Sequence, residues 1–172
     1  FHACILNIIA SLTFYFFLQE LKLNKIYSFF YVISFATLCY PVSGTPFAYL
    51  HSYIFSLISI FLTCILLKKN NTAMWCFLPV FFFLAFFSMQ TPSAYIILIL
   101  SFFSFYHFFS KKDYKSLKFF ILGCIGCVFF LFFYLFLSKT PLENFILQYF
   151  LFPLSIGSER ILSGPTAYVS LK

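Results

Sequence analysis

Apolar residues in this chain come in runs of about 15 to 20 positions that recur over its whole length, broken only by charges and by Pro/Gly clusters. Cutting the sequence at those breaks gives six spans, at about 1–18, 26–42, 46–67, 74–90, 92–109 and 119–137. The third is the clearest: about 22 residues at 1.5 Å each reach roughly 33 Å, enough for a hydrocarbon core of about 30 Å. The second and fourth, at about 17 residues, would stand with little tilt or thin the bilayer locally. The short alternating strands of a membrane β-barrel are missing. The pattern therefore predicts an all-α fold, a polytopic transmembrane helical bundle of about six spans followed by an interfacial or re-entrant helix.

Composition removes the soluble alternative. Of 172 residues, 63% are hydrophobic, 26% aromatic and 9% charged, and Phe alone fills 31 positions. A soluble domain carries about 25% charged residues, so this chain lacks the polar groups to cover a surface in water; the same arithmetic excludes disorder. The sequence opens at Phe1 inside an apolar run and stops at Lys172 after a Ser-Gly-Pro stretch, as expected of an internal piece of a longer protein. Neither a basic leader nor a small-residue cleavage site marks a cleavable signal. The six cysteines lie in or beside apolar runs and say little about redox compartment.

The few charges sort by side. Loops after spans one, three and five carry Lys22 and Lys25, Lys68 and Lys69, then Lys111, Lys112, Lys115 and Lys118; the turns after spans two and four carry no Lys or Arg. By the positive-inside rule the basic loops are cytoplasmic and the uncharged turns extracytoplasmic, as in a multi-pass protein of a bacterial inner membrane. The net charge of +7 thus reads as a topology signal, with anionic membrane lipid as a further partner and no nucleic acid.

On the uncharged side, Thr45-Pro46, Thr91-Pro92 and Thr140-Pro141 each stand where a new helical run begins. Thr caps helices well and Pro suits the first helical position; Glu143, three residues after Thr140, would complete a capping box. Thr-Pro is simply a good helix start, yet three helix N-termini opening on one face would also favour a phosphate-bearing lipid or substrate. Residues 140–160 then change character: Glu143, Asn144 and Gln148 stand among apolar residues, and Pro153 and Gly157 interrupt the run. The expected division is a transmembrane region over 1–139 and an extracytoplasmic interfacial helix and loop over 140–172, with a seventh crossing as the alternative.

Candidate chemistry gathers on that same side. His51, near the outer start of span three, is a titratable ring inside a membrane helix, either a functional group or a neutral core histidine bonded to a neighbour. Gln90 and Thr91, in the next outer turn, suit a sugar hydroxyl or a phosphate, though Gln90 would serve equally as a cap. Arg160 beside Glu159 offers a guanidinium to a phosphate or forms a solvated loop pair. His107, next to Lys111 and Lys112, reads as an interfacial side chain. Cys124-Ile125-Gly126-Cys127 matches C-x-x-C, but inside an apolar run the Gly-Cys pattern reads as small residues that permit close helix packing. No nucleotide loop, metalloprotease motif, nucleophile elbow or adjacent carboxylate pair occurs.

Three stretches together, SGTPFAYLHSYIFSLISIFLTCILLKKN, LAFFSMQTPSAYIIL and FILQYFLFPLSIGSER, resemble the middle of bacterial polytopic glycosyltransferases of the GT-C superfamily. These are the family 39-like enzymes related to protein mannosyltransferases and aminoarabinose transferases. The resemblance covers roughly residues 40–160 and implies transfer of a sugar from a polyprenyl-phosphate donor at the extracytoplasmic face, with His51, Gln90, Thr91 and Arg160 as substrate-binding residues. The acidic base would lie upstream of Phe1. Departures from the family pattern are Tyr49 and Leu50 where an acidic residue often precedes the His, and Met89 where the later turn often carries a basic residue. A multi-pass transporter or flippase for a lipid-linked or small substrate is the alternative; it asks for intramembrane charge or a helix broken at the midplane, for which Pro79 is the one candidate.

Overall fold

A computed structural model describes residues 2–44, 47–69, 71–152 and 155. Every apolar run is helical: α1 (His2–Glu20), α2 (Lys25–Gly44), α3 (Ala48–Lys68), a 3-10 turn (Thr72–Cys76), α4 (Leu78–Ser88), α5 (Gln90–Lys111), α6 (Tyr114–Leu137), α7 (Leu142–Ile146) and a π-helical turn (Leu147–Leu151). Among the described residues there is no strand. Three helices, α3, α5 and α6, are long and apolar enough to cross a membrane, as an integral membrane protein requires. Cys4–Glu20, Lys25–Tyr40 and Thr72–Ser88 are shorter apolar helices.

The fourth run is short for a local reason. It opens as a 3-10 turn, and Pro79 sits in the first turn of α4, where its missing N–H costs nothing. Pro79, the candidate break of the transporter alternative, thus stands at the start of a helix. At about 2.0 Å per residue in the turn and 1.5 Å in α4, the stretch still reaches roughly 26 Å.

The chain forms two compact units, Phe1–Cys127 and Val128–Lys172, with the boundary inside α6. In the first unit α3 is the hub, packing on α1, α2, α4 and α5. Half of its most apolar stretch is buried in the protein, against 22% for α5 and 17% for α6. Its inward residues explain why: Ser52, Ser56, Ser59 and Thr63 are all buried, and their small size at spacings of three and four residues lets neighbouring helices approach. Ser59 and Thr63 return their hydroxyl protons to the Phe55 and Ser59 carbonyls one turn back, at 2.8 and 2.7 Å, and so cost no unsatisfied donor.

Around this hub the aromatic residues interlock. Phe14 of α1 lies 4.9 Å from Phe35 of α2 and 5.1 Å from Phe61 of α3, ring centre to ring centre. A polar tie crosses the same interface, since Asn7 donates to the Ala36 carbonyl at 2.9 Å. Nearer the other end of α3, Leu62, Leu66, Trp75, Leu78, Phe82, Leu100, Phe108 and Phe120 form the main apolar core.

Helix α6 meets that core through Phe120 and then through Gly123, where an added Cβ would collide with the Cys76 carbonyl and touch Pro79. The expected small-residue approach therefore holds at Gly123. It does not hold at Gly126, where a Cβ would meet open space.

Helix corners share one device. Lys22, Lys112 and Lys139 adopt left-handed backbone, with φ of 61°, 53° and 52°. The residue after each donates its N–H five positions back, Leu23 to Leu18, Asp113 to Phe108 and Thr140 to Leu135, which closes the preceding helix in a Schellman motif. Glycine is the usual occupant of such a position. Lysine there carries about 1–2 kcal/mol of backbone strain, offset in part by its charge at the negative end of the helix dipole.

Two expected caps are corrected. The Thr140–Glu143 capping box does not form: Pro141 is the N-cap of α7 and makes no side-chain cap bond, and the Thr140 hydroxyl pairs instead with Ser138 at 2.9 Å. The Schellman turn at Lys139 takes up the Thr140 N–H, and α7 starts one residue later than the box requires. Helix α3 begins at Ala48 with Phe47 as N-cap; Thr45 and Pro46 lie outside the described residues.

Candidate functional site

The polar groups of the first unit collect at its two ends. At the uncharged end, the Phe47 carbonyl accepts the Leu50 and His51 N–H groups at 3.1 and 3.4 Å and also lies 2.9 Å from His51 Nδ1. A carbonyl only accepts, so Nδ1 carries a proton, and Nε2 on the other side of the ring is buried.

One residue on, the buried Ser52 hydroxyl donates to the Met89 carbonyl at 3.2 Å, which ties the first turn of α3 to the break between α4 and α5. The same carbonyl is the nearest partner of the buried Ser93 hydroxyl of α5, which lies 3.1 Å from the Ala85 carbonyl as well. Thr91 has extended backbone (φ −111°, ψ 124°), so the regular part of α5 starts at Pro92, as the Thr-Pro reading expects. A helix break in apolar surroundings exposes carbonyls that lipid cannot satisfy; Ser52 and Ser93 answer that need. They also fix where Gln90 and Thr91 stand relative to the His51 turn.

Of the expected site residues, then, His51, Gln90 and Thr91 belong to segments that the structure brings to one end. Arg160 and Glu159 lie outside the described residues. Ser52 and Ser93 escaped the sequence reading. Their only signal was a hydroxyl inside an apolar run, which this chain repeats many times.

The opposite end is charged. Lys69 pairs with Glu20 at 2.8 Å, and Lys68 donates to the Glu20 carbonyl at 3.1 Å, joining the ends of α1 and α3. A cleft of about 590 Å³ continues from there to the α5–α6 corner, lined by Lys68, Lys69, Lys111, Lys112 and Lys115 with His107 and Asp113. The three basic loops thus converge on one end. Ser52 and Lys68 stand about 24 Å apart along α3 at 1.5 Å per residue, so the two ends are separated by most of a bilayer.

His107 is half-buried here, stacked on the fully buried Trp75 with ring centres 5.9 Å apart, and is more than an interfacial side chain. Asp113 accepts from the Ser116 hydroxyl at 2.6 Å and from its N–H at 3.2 Å, capping α6. The Ser116 hydroxyl holds the Asp113 carboxyl below the ordinary carboxylate range against the opposing effect of burial, with the Ser116 N–H and His107 adding to the lowering.

Lys69 also closes one end of a second cavity of about 410 Å³, which is otherwise apolar apart from Thr13 and runs between α1, α3 and the start of α4. Among the described residues no cluster of three or more His, Cys, Asp or Glu stands ready to hold a metal, and the six cysteines are free thiols. No protein-family model, curated protein or solved structure matches this chain.

Proposed function

We propose that the chain crosses a bacterial inner membrane six times, with its basic end in the cytoplasm. On this reading it is part of a glycosyltransferase that moves a sugar from a polyprenyl-phosphate donor at the extracytoplasmic face. Support for the six crossings comes from the six helical runs and from the convergence of all three basic loops at one end. The shorter runs fit a bilayer that thins around them.

The observation that carries the enzyme reading is the Ser52–Met89 hydrogen bond, which draws the His51 turn and the Gln90–Thr91 turn to the end opposite the lysines. A sugar phosphate there would meet the start of α3, which has no acidic residue in its first turn to oppose an anion. On this reading His51, Gln90 and Thr91 would bond sugar or phosphate. Glu20 and Asp113 belong to the basic end. Neither would then be the base that deprotonates the acceptor hydroxyl. For the flippase alternative, the candidate Pro79 stands in the first turn of α4, next to the 3-10 turn that opens the fourth run.

In the full-length protein, His51→Ala and Gln90→Ala should each lower sugar transfer by about tenfold or more, the scale of one hydrogen bond to a charged group. The amount of membrane-inserted protein should stay the same. Unchanged transfer in both variants would remove this end of the bundle from the reaction.

A further inference from the structure

We propose that the basic cleft and the apolar cavity beside it form one binding site for an anionic phospholipid of the bilayer, with the phosphate among the lysines and an acyl chain in the apolar cavity. The inference concerns the end away from His51 and stands whether or not the protein transfers sugar.

Three observations carry it. Five lysines and a single aspartate, Asp113, line the cleft, so it keeps a positive surplus that calls for an anion. The adjoining cavity has only Thr13 and Lys69 as polar lining, which suits a hydrocarbon chain. Lys69 lines both spaces, so a molecule with a phosphate next to an acyl chain would fill them together, its phosphate sharing Lys69 with Glu20. Both volumes, about 590 and 410 Å³, fall within the range of ligand sites. A free phosphate or a soluble phosphoester would use the cleft and leave the apolar cavity empty; the shared lysine favours the lipid.

The molecule carries its own reporter. Trp75 is the only tryptophan, it is buried, and it stacks on His107, which lines the cleft. The chain is reconstituted in phosphatidylcholine nanodiscs doped with increasing phosphatidylglycerol, and Trp75 emission is followed. A saturable change is expected. It should be absent when phosphatidylethanolamine replaces phosphatidylglycerol, and at least about tenfold weaker in apparent affinity when glycerol 1-phosphate or inorganic phosphate is added in solution.

The double variant Lys111→Gln/Lys115→Gln should weaken the phosphatidylglycerol response by about fivefold per lysine, while Lys111→Arg/Lys115→Arg should retain it. Lys22→Gln/Lys25→Gln removes two basic charges that do not line the cleft, so it should leave the response within twofold. An equal response to phosphatidylethanolamine would overturn the proposal. So would glycerol 1-phosphate or inorganic phosphate binding as tightly as the lipid, which would mark a free-phosphate site. The Lys22/Lys25 pair weakening the response as much as the Lys111/Lys115 pair would reduce the effect to general surface charge, and an arginine pair binding as poorly as the glutamine pair would exclude the charge altogether.

Discussion

At the basic end of the first unit, α1, α3 and α5 finish on or beside lysines, Glu20 pairs with Lys69, and a charged cleft opens toward the α5–α6 corner. At the other end, α3 and α5 begin without an acidic residue in their first turns, and the structure is held by neutral groups: the Phe47 carbonyl under His51 and the Met89 carbonyl under Ser52 and Ser93. Helix termini of both signs meet at each end: α2 and α6 begin where α1 and α5 finish, and α2 and α4 finish where α3 and α5 begin, so the helix dipoles largely cancel. What distinguishes the two ends is side-chain charge: the lysines give the first a positive surplus, whereas the second is organised by hydrogen bonds between neutral groups.

The largest expected effect tests how the basic end is packed. Gly123→Leu places a side chain against the Cys76 carbonyl and Pro79, both backbone-anchored and unable to yield, and should destabilise the first unit by about 3 kcal/mol, the upper end for overpacking. Gly126→Leu, facing open space, should change stability by less than about 0.5 kcal/mol. Denaturant unfolding followed by Trp75 fluorescence measures both. Equal effects would mean that α6 does not lean on the 3-10 turn at Cys76.

Next in size is the uncharged end. Ser52→Ala and Ser93→Ala should each cost about 0.6 kcal/mol, the mean for side-chain hydrogen bonds inside membranes, because either hydroxyl alone still serves the shared Met89 carbonyl. Together they should cost about 2 kcal/mol, more than their sum, as an acceptor loses its buried partners. Strict additivity in the double-mutant cycle would show that Met89 is satisfied by other means and that the two turns are not coupled through it.

The difference between the ends also governs what was legible in the sequence. The helical runs could be placed to within a few residues because the code for them is coarse: apolar stretches interrupted by charge. Lys68, Lys69, Lys111 and Lys112 announced one side for the same reason. Their convergence into a cleft did not show, since it depends on Lys69 reaching Glu20 across 49 positions of chain and on His107 stacking over Trp75. The caps were half legible: Thr91-Pro92 begins regular helix as read, while Thr140 is displaced by the turn that Lys139 makes before it. A lysine in left-handed backbone has no sequence mark, because glycine is the residue that normally signals it. Ser52 and Ser93 were hidden for the opposite reason, being two hydroxyls among many.

The smallest effect separates charge from shape at the basic end. Asp113 caps α6 through Ser116, so Asp113→Ala should cost about 1 kcal/mol at neutral pH. Its carboxyl sits below the ordinary carboxylate range in the folded protein, chiefly through the Ser116 hydroxyl. Folding therefore favours the ionised form: the stabilisation is fully present above the unfolded carboxylate value near 3.9 and fades as pH falls through the lower folded value. Asp113→Asn keeps a capping oxygen but cannot titrate. Melting of the parent protein and of Asp113→Asn, compared from neutral to strongly acidic pH, should show the parent losing its advantage only on the acid side. An advantage independent of pH would assign the cap to the shape of the side chain and not to its charge.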